Sequence, residues 1–214
     1  MLQQLRNVPA RGSVEVFTPL PFSPASERNK KSIFNVLNSL LPNGSRVLEI
    51  GSGAGQHATY FAWQRPDLDW LATEVPERLP DLKQGIQLSE HEQNVQVEAL
   101  SVDQNRWEFG LFDAVFTANT LHIMPWSNTD WLIKHAADSL KQDGLLICYG
   151  PFQEGGRHNA DSNLEFDQNL RARDPDMGIR DLVKIRAIGE KYSLLVSSEI
   201  SMPANNRMLV FKRT

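Results

Sequence analysis

The stretch Val47-Leu48-Glu49-Ile50-Gly51-Ser52-Gly53-Ala54-Gly55-Gln56-His57 is compatible with few folds. A short apolar strand carries one acid, Glu49, and runs into three glycines at alternate positions, after which a helical pattern begins. A strand that turns through glycine into a helix is the ligand-holding unit of doubly wound α/β proteins. Glycine suits such a turn because the backbone takes positive φ and must come close to whatever is bound. An acid at the end of the strand sits poorly beside phosphates and well beside a positively charged ligand.

The rest of the chain repeats strand and helix. A helix is expected from Ser23, with Pro24 at its first position, where a missing N–H does no harm. Its apolar residues Ile33, Val36, Leu37, Leu40 and Leu41 form one stripe, and Pro42-Asn43-Gly44 stops it. Residues 1–22, with Pro9, Gly12, Pro19 and Pro21, read as an extended arm with a short strand over Val14-Glu15-Val16-Phe17. Strands follow at about 46–50, 69–73, 95–100, 113–118 and 145–149, with helices to about 64, at 78–89 and at 128–141. The last helix is expected at 179–191, and two strands, 193–200 and 207–213, are close enough to pair antiparallel. This alternation predicts an α/β fold, a mostly parallel sheet with helices on both faces, as a single domain over 1–214. Residues 151–177 break the rhythm and read as a substrate-side insert. Asn163, Asp167 and Arg171 fall on one helical face there. Arg171 or Arg173 either binds an anion or joins a salt-bridge network with Asp174, Asp176 and Asp181.

Composition narrows the function classes. The chain has 214 residues, 41% of them hydrophobic, enough for one domain with a real core. With 22 Lys and Arg against 26 Asp and Glu, its net charge of -4 makes nucleic acid and anionic membrane poor partners. A single cysteine, Cys148, excludes an internal disulfide and fits a reducing compartment; its mid-strand position reads as an inert core thiol. No apolar run approaches the roughly 20 residues needed to cross a bilayer. A soluble cytoplasmic protein acting on a small molecule, as monomer or homodimer, is the expectation. The chain has no phosphate-binding GxxxxGK[ST] loop, and Ile50 stands where a nucleophile elbow needs its first glycine. No spacing resembles a metal site, and His91 lies in the polar run Ser89-Glu90-His91-Glu92.

Three details select among nucleotide-like cofactors. Gln56 stands where the dinucleotide fingerprint needs its third glycine. Glu49 suits the ammonium and sulfonium of S-adenosylmethionine. Glu74, ending the second strand, can accept from both ribose hydroxyls, which serves NAD equally well. Asp103, past the third strand, is placed to accept from an adenine amine or to cap its own loop. Ser52 and His57 flank the glycines and count with them as cofactor contacts. Together these point to S-adenosylmethionine before NAD.

With the exit of the fourth strand, Ala118-Asn119-Thr120-Leu121-His122-Ile123-Met124-Pro125-Trp126, the chain resembles class I S-adenosylmethionine-dependent methyltransferases. From about residue 20 to 210 it resembles one methyltransferase-like family among them, filed as a domain of unknown function. The phrases that carry this are Ser23-Pro24-Ala25-Ser26-Glu27-Arg28-Asn29-Lys30, Leu121 to Trp126, Tyr149-Gly150-Pro151-Phe152, Arg171 to Pro175, Gly178-Ile179-Arg180-Asp181 and Met202-Pro203-Ala204-Asn205-Asn206. Glu74 departs from the aspartate expected there. The resemblance implies a seven-stranded Rossmann-like methyltransferase fold of order 3-2-1-4-5-7-6, last strand antiparallel. It implies S-adenosylmethionine as cofactor and S-adenosylhomocysteine as product. Gly51 and Gly53 would then approach the methionine moiety, Asn119 would offer its carbonyl to the ammonium, Leu121 would pack near the sulfonium, and Arg28 would take the carboxylate. His122, at a strand exit on the methyl side, is the candidate general base or else orients its loop. Tyr149 and Phe152 form an aromatic wall or simply core. The alternative to a small-molecule methyltransferase is a cofactor-binding sensor or partner-binding module without catalysis.

Overall fold

Strand β1 (Arg46–Ile50) is hydrogen-bonded on both sides, to β2 (Asp69–Glu74) and β4 (Phe112–Ala118), and is buried from Val47 onward. That puts the glycine turn at the middle of the sheet. The computed structural model describes residues 22–89 and 94–214. The expected arm before Phe22, its short strand, and His91 lie outside the described residues. The main sheet runs β3 (Val95–Ala99), β2, β1, β4, β5 (Leu140–Gly150), β10 (Asn206–Arg213), β9 (Leu194–Met202), with β10 antiparallel to both neighbours. Counted within this sheet alone the order is 3-2-1-4-5-7-6, as the resemblance implied. Three short strands, β6 (Phe152–Glu154), β7 (Arg157–His158) and β8 (Arg180–Asp181), form a second small sheet. They are too short to show a period in sequence.

Helices α1 (Pro24–Leu40), α2 (Gln56–Gln64) and α3 (Leu79–Gln87) cover one face. Ile33, Leu37, Phe61, Leu82 and Ile86 pack there on Val47, Trp70 and Phe116. Helices α4 (Trp126–Ser139) and α6 (Leu182–Lys191) cover the other, where Leu132, Ile133, Leu182 and Ile185 meet Leu48, Val115 and Leu146. Helix α5 (Asp161–Arg173) lies in the insert. The chain winds outward from β1 to β3 and then returns to β4 on the far side of β1. Such a reversal opens a crevice at the C-terminal ends of the strands.

Two boundaries differ from expectation for identifiable reasons. The turn expected at Gln142-Asp143-Gly144 is absorbed as an irregularity within β5, where Asp143 takes φ 64 and the pairing jumps from Phe112↔Leu140 to Ala114↔Leu145. Helix α6 starts at Leu182 rather than 179 because Asp181 caps it, accepting from the Val183 N–H at 2.8 Å, while Arg180 and Asp181 form β8. Cys148 is fully buried in β5, and burial pushes its thiol up to about 12, the inert state expected of it. Among the described residues no helix is long and apolar enough to cross a membrane.

Candidate functional site

The turn after β1 is glycine-rich for two distinct reasons. Gly51, Gly53 and Gly55 take φ of 71, 60 and 77. A Cβ on Gly51 would lie 2.7 Å from Thr120 Oγ1, and one on Gly55 2.9 Å from Ile86 of α3. A Cβ on Gly53 would meet nothing within 4 Å, because that residue faces open space. The turn's amides are largely spent within the protein. The N–H of Ser52 donates to Thr73 O (2.9 Å), that of Gly55 to Ser52 O (2.9 Å), and that of Gly53 to Glu74 Oε2 (2.8 Å). A pyrophosphate cradle needs such amides free.

Glu74 ends β2 beneath this open space, nearly buried, with Oε1 accepting from the Val75 N–H at 3.0 Å. Each of its oxygens keeps a further lone pair. Glu74, Gly51, Ser52, Gly53, His57 and Asn119 line a cleft of about 260 Å3, roofed by Phe22, Ser23, Ala25 and Ser26 from the start of α1. Asn119 holds φ 58, and its N–H donates to Tyr149 O at 2.9 Å. Thr120 and Ile123 also line this cleft, and neither was singled out in the sequence.

Several expected contacts lie elsewhere. Leu121 is buried in the core on the α4 side; the short 3-10 turn Leu121–Ile123 turns it inward and presents Ile123 instead. Asp103 is exposed in the loop after β3 and is not among the residues that line this cleft. Gln56 clamps α1 onto the turn. Its Oε1 accepts from the Ser23 N–H and its Nε2 donates to Glu27 Oε2 at 3.1 Å. That explains why a glutamine follows the third glycine: it holds the helix that roofs the cleft.

Glu49 lies behind the cleft wall, not on it. Being mid-strand, it points toward α2, where the Trp70 indole donates to its Oε2 at 3.0 Å. Complete burial raises its pKa to about 7. His57 Nε2 bonds to Asn29 Oδ1 at 2.7 Å, so with that oxygen accepting, Nδ1 faces Glu49 Oε1 at 3.9 Å. Burial lowers His57 to about 4, so this contact joins a neutral imidazole to a carboxyl that titrates near neutrality. The Asn29 amide also bonds to the Tyr149 hydroxyl. Asn29 thus links α1 to α2 and β5 through one side chain. Its signal in sequence was a polar residue four before Ile33, on the apolar stripe of α1.

A second cleft, about 320 Å3, shares Ala25 and Asn119 with the first. It gathers Arg28, Asn29, His122, Tyr149, Phe166 and Asn206. The two aromatic wall candidates separate here: Tyr149 lines the cleft, while Phe152 is buried core. His122 stands edge-on to Phe166 at 5.2 Å, and burial lowers it to about 4, with the Arg180 charge adding to this. Arg28 lines this cleft and not the first. Within the insert, Asp167 accepts from Arg171 Nε (2.9 Å) and the Ile179 N–H (2.6 Å). The expected ion pairs to Asp174, Asp176 and Asp181 do not form among the described residues; Asp181 takes the Gly155 and Gly156 N–H groups instead. Asn163 Nδ2 donates to Asn205 O at 3.1 Å, tying α5 to the β9–β10 turn that closes this cleft.

Buried His57 and His122 set a pH limit on stability. Their folded pKa values lie below the unfolded 6.5, so their contribution is present above pH 6.5 and lost as pH falls through 4. Glu49, raised to about 7, contributes in the opposite sense: fully below its ordinary value of 4.5, and lost as pH rises through 7. With His57, His122 and His135, which burial also lowers, against one glutamate, the urea midpoint is expected to fall between pH 6.5 and 4, and to fall further in Glu49→Gln. A midpoint that stays level over this range contradicts the assignment.

Sheet order, switch-point crevice and glycine turn together define the Rossmann-like fold of class I methyltransferases. Solved structures agree. An O-methyltransferase family protein from Burkholderia thailandensis matches with TM-score 0.76 and 18% identity, over 89% of this chain and 57% of that one. An O-methyltransferase family 2 protein from Planctomyces limnophilus, in complex with apigenin, matches with TM-score 0.75 and 13% identity, over 89% and 60%. Human N-acetylserotonin methyltransferase in complex with S-adenosylmethionine matches with TM-score 0.74 and 14% identity, over 88% and 52%. The chain therefore spans little more than half the length of these proteins. It belongs to the family described as "Protein of unknown function (DUF938)", whose model matches residues 20–213.

Proposed function

We propose that this protein is an S-adenosylmethionine-dependent methyltransferase acting on a small-molecule acceptor. The observation that carries the reading is the turn itself: its amides are satisfied internally while acids stand under and behind its open face. That chemistry favours a cationic adenosyl ligand over a dinucleotide. Glu74 would hold the ribose hydroxyls, and Gly51 and Gly53 would let the backbone approach the amino-acid end. The Asn119 carbonyl would face the ammonium, and Glu49 would act through the wall as a buried counter-charge. The cofactor supplies an activated methyl group for in-line displacement. The chain's share is to bind, align and exclude water, with residues 1–214 read as one domain and the insert as the acceptor wall.

Calorimetry with S-adenosylhomocysteine tests this; no binding at millimolar concentration rejects it. Glu49→Gln is expected to weaken cofactor binding by about 1–3 kcal/mol and to remove a rise in affinity between pH 6 and 8. Unchanged affinity with an unchanged pH profile would make Glu49 purely structural.

A second reading, cofactor binding without catalysis, is favoured by one observation. Neither His122, lowered to about 4, nor Tyr149, raised by burial, is a strong base at neutral pH. Homocysteine release across a panel of acids, phenols, thiols and amines separates the two.

A further inference from the structure

The two adjoining clefts differ in charge. The cofactor-side cleft carries Glu74 and Asp81 against Arg78. The acceptor-side cleft has no Asp or Glu among its lining residues, and its one charged side chain is Arg28. Arg28 has no carboxylate within ion-pair distance among the described residues. The neighbouring acid on α1, Glu27, is already held by Lys30 at 2.6 Å and by the Gln56 amide. Arg28 lies one helical turn from Ala25, which lines both clefts. The same cleft is lined by the apolar residues Phe166, Pro203 and Ala204. An exposed guanidinium without an ion-pair partner, in a cleft with apolar lining residues, matches a planar organic anion, because its fork binds a carboxylate through two parallel N–H bonds.

We propose, resting on the methyltransferase reading, that the acceptor is a small organic carboxylate whose anion Arg28 recognises and whose oxygen takes the methyl group. The carboxylate oxygen forms the new C–O bond as the methyl C–S bond breaks, and the electron pair of that bond stays on sulfur. No proton moves, so no general base is required. This accounts for a cleft whose two titratable groups, His122 and Tyr149, are both neutral at pH 7. Their role is then to orient the acceptor.

The test uses the full chain loaded with S-adenosylhomocysteine and titrated with benzoate, phenylacetate and 4-hydroxybenzoate, each against its neutral amide. The acids are expected to bind at least tenfold more tightly than the amides. Arg28→Gln should erase that preference while cofactor affinity stays within twofold. With S-adenosylmethionine, 4-hydroxybenzoate offers both nucleophiles in one molecule, and the methyl ester is the expected product. Four results overturn the proposal: no preference for the acids, no ester from any of them, a ring ether in place of the ester, or a tenfold loss of cofactor affinity in Arg28→Gln. The last would assign Arg28 to the cofactor's own carboxylate. Failure of the wild-type protein to bind S-adenosylhomocysteine is a separate result that removes the methyltransferase reading with it.

Discussion

Gly85→Ala is expected to destabilise the protein by about 2–3 kcal/mol, although alanine is the better helix former by roughly 1 kcal/mol. Gly85 lies within α3, where propensity alone favours the change. A Cβ there would fall 2.1 Å from the Ala54 carbonyl oxygen and 2.9 Å from its carbon. The obstacle is backbone, so no side chain can swing away, and α3 must lift off the glycine turn. Leu82 and Ile86, which pack under Gly55, would move with it. The urea midpoint should drop with an unchanged slope, and cofactor binding should weaken in parallel. A variant as stable as the parent, or more so, would show that α3 does not press on the turn.

Glu74→Ala is expected to weaken binding of S-adenosylhomocysteine by about 100-fold, roughly the loss of two charge-assisted hydrogen bonds reduced by water replacing them. It should also lower stability by about 1–3 kcal/mol, because the Gly53 and Val75 N–H groups lose their acceptor. Glu74→Gln separates the effects. The amide oxygen can still accept from one of these N–H groups while its NH2 stands against the other, so stability should return only in part while affinity stays reduced. Full affinity in either variant would remove Glu74 from the ribose site.

Much of the frame was legible before any coordinates. The period of apolar residues in α1 gave its buried face, and Ser23 caps it with Pro24 at the first position as expected. The run of Gly51, Gly53 and Gly55 located the crevice, since positive φ and close approach are demands a backbone makes locally. Glu74 could be placed at the cleft because it ends a parallel strand beside the switch point. The short strands of the insert escaped notice because two or three residues carry no period.

The side chains whose roles changed share one property: their partners lie far away in sequence. Gln56 meets Ser23, 33 residues earlier, and His57 meets Asn29, 28 residues earlier. Glu49 turned out to face Trp70 because alternation along β1 sends it toward α2, away from the crevice. Leu121 and Ile123 exchanged places through the phase of a single 3-10 turn. The chain's local patterns were enough to specify an α/β sheet and a cleft at its switch point, because periodicity and glycine geometry are written residue by residue. Which side chains line that cleft, and that α1 closes it through Gln56 and Asn29, depended on how distant helices pack, and no local pattern encodes that packing.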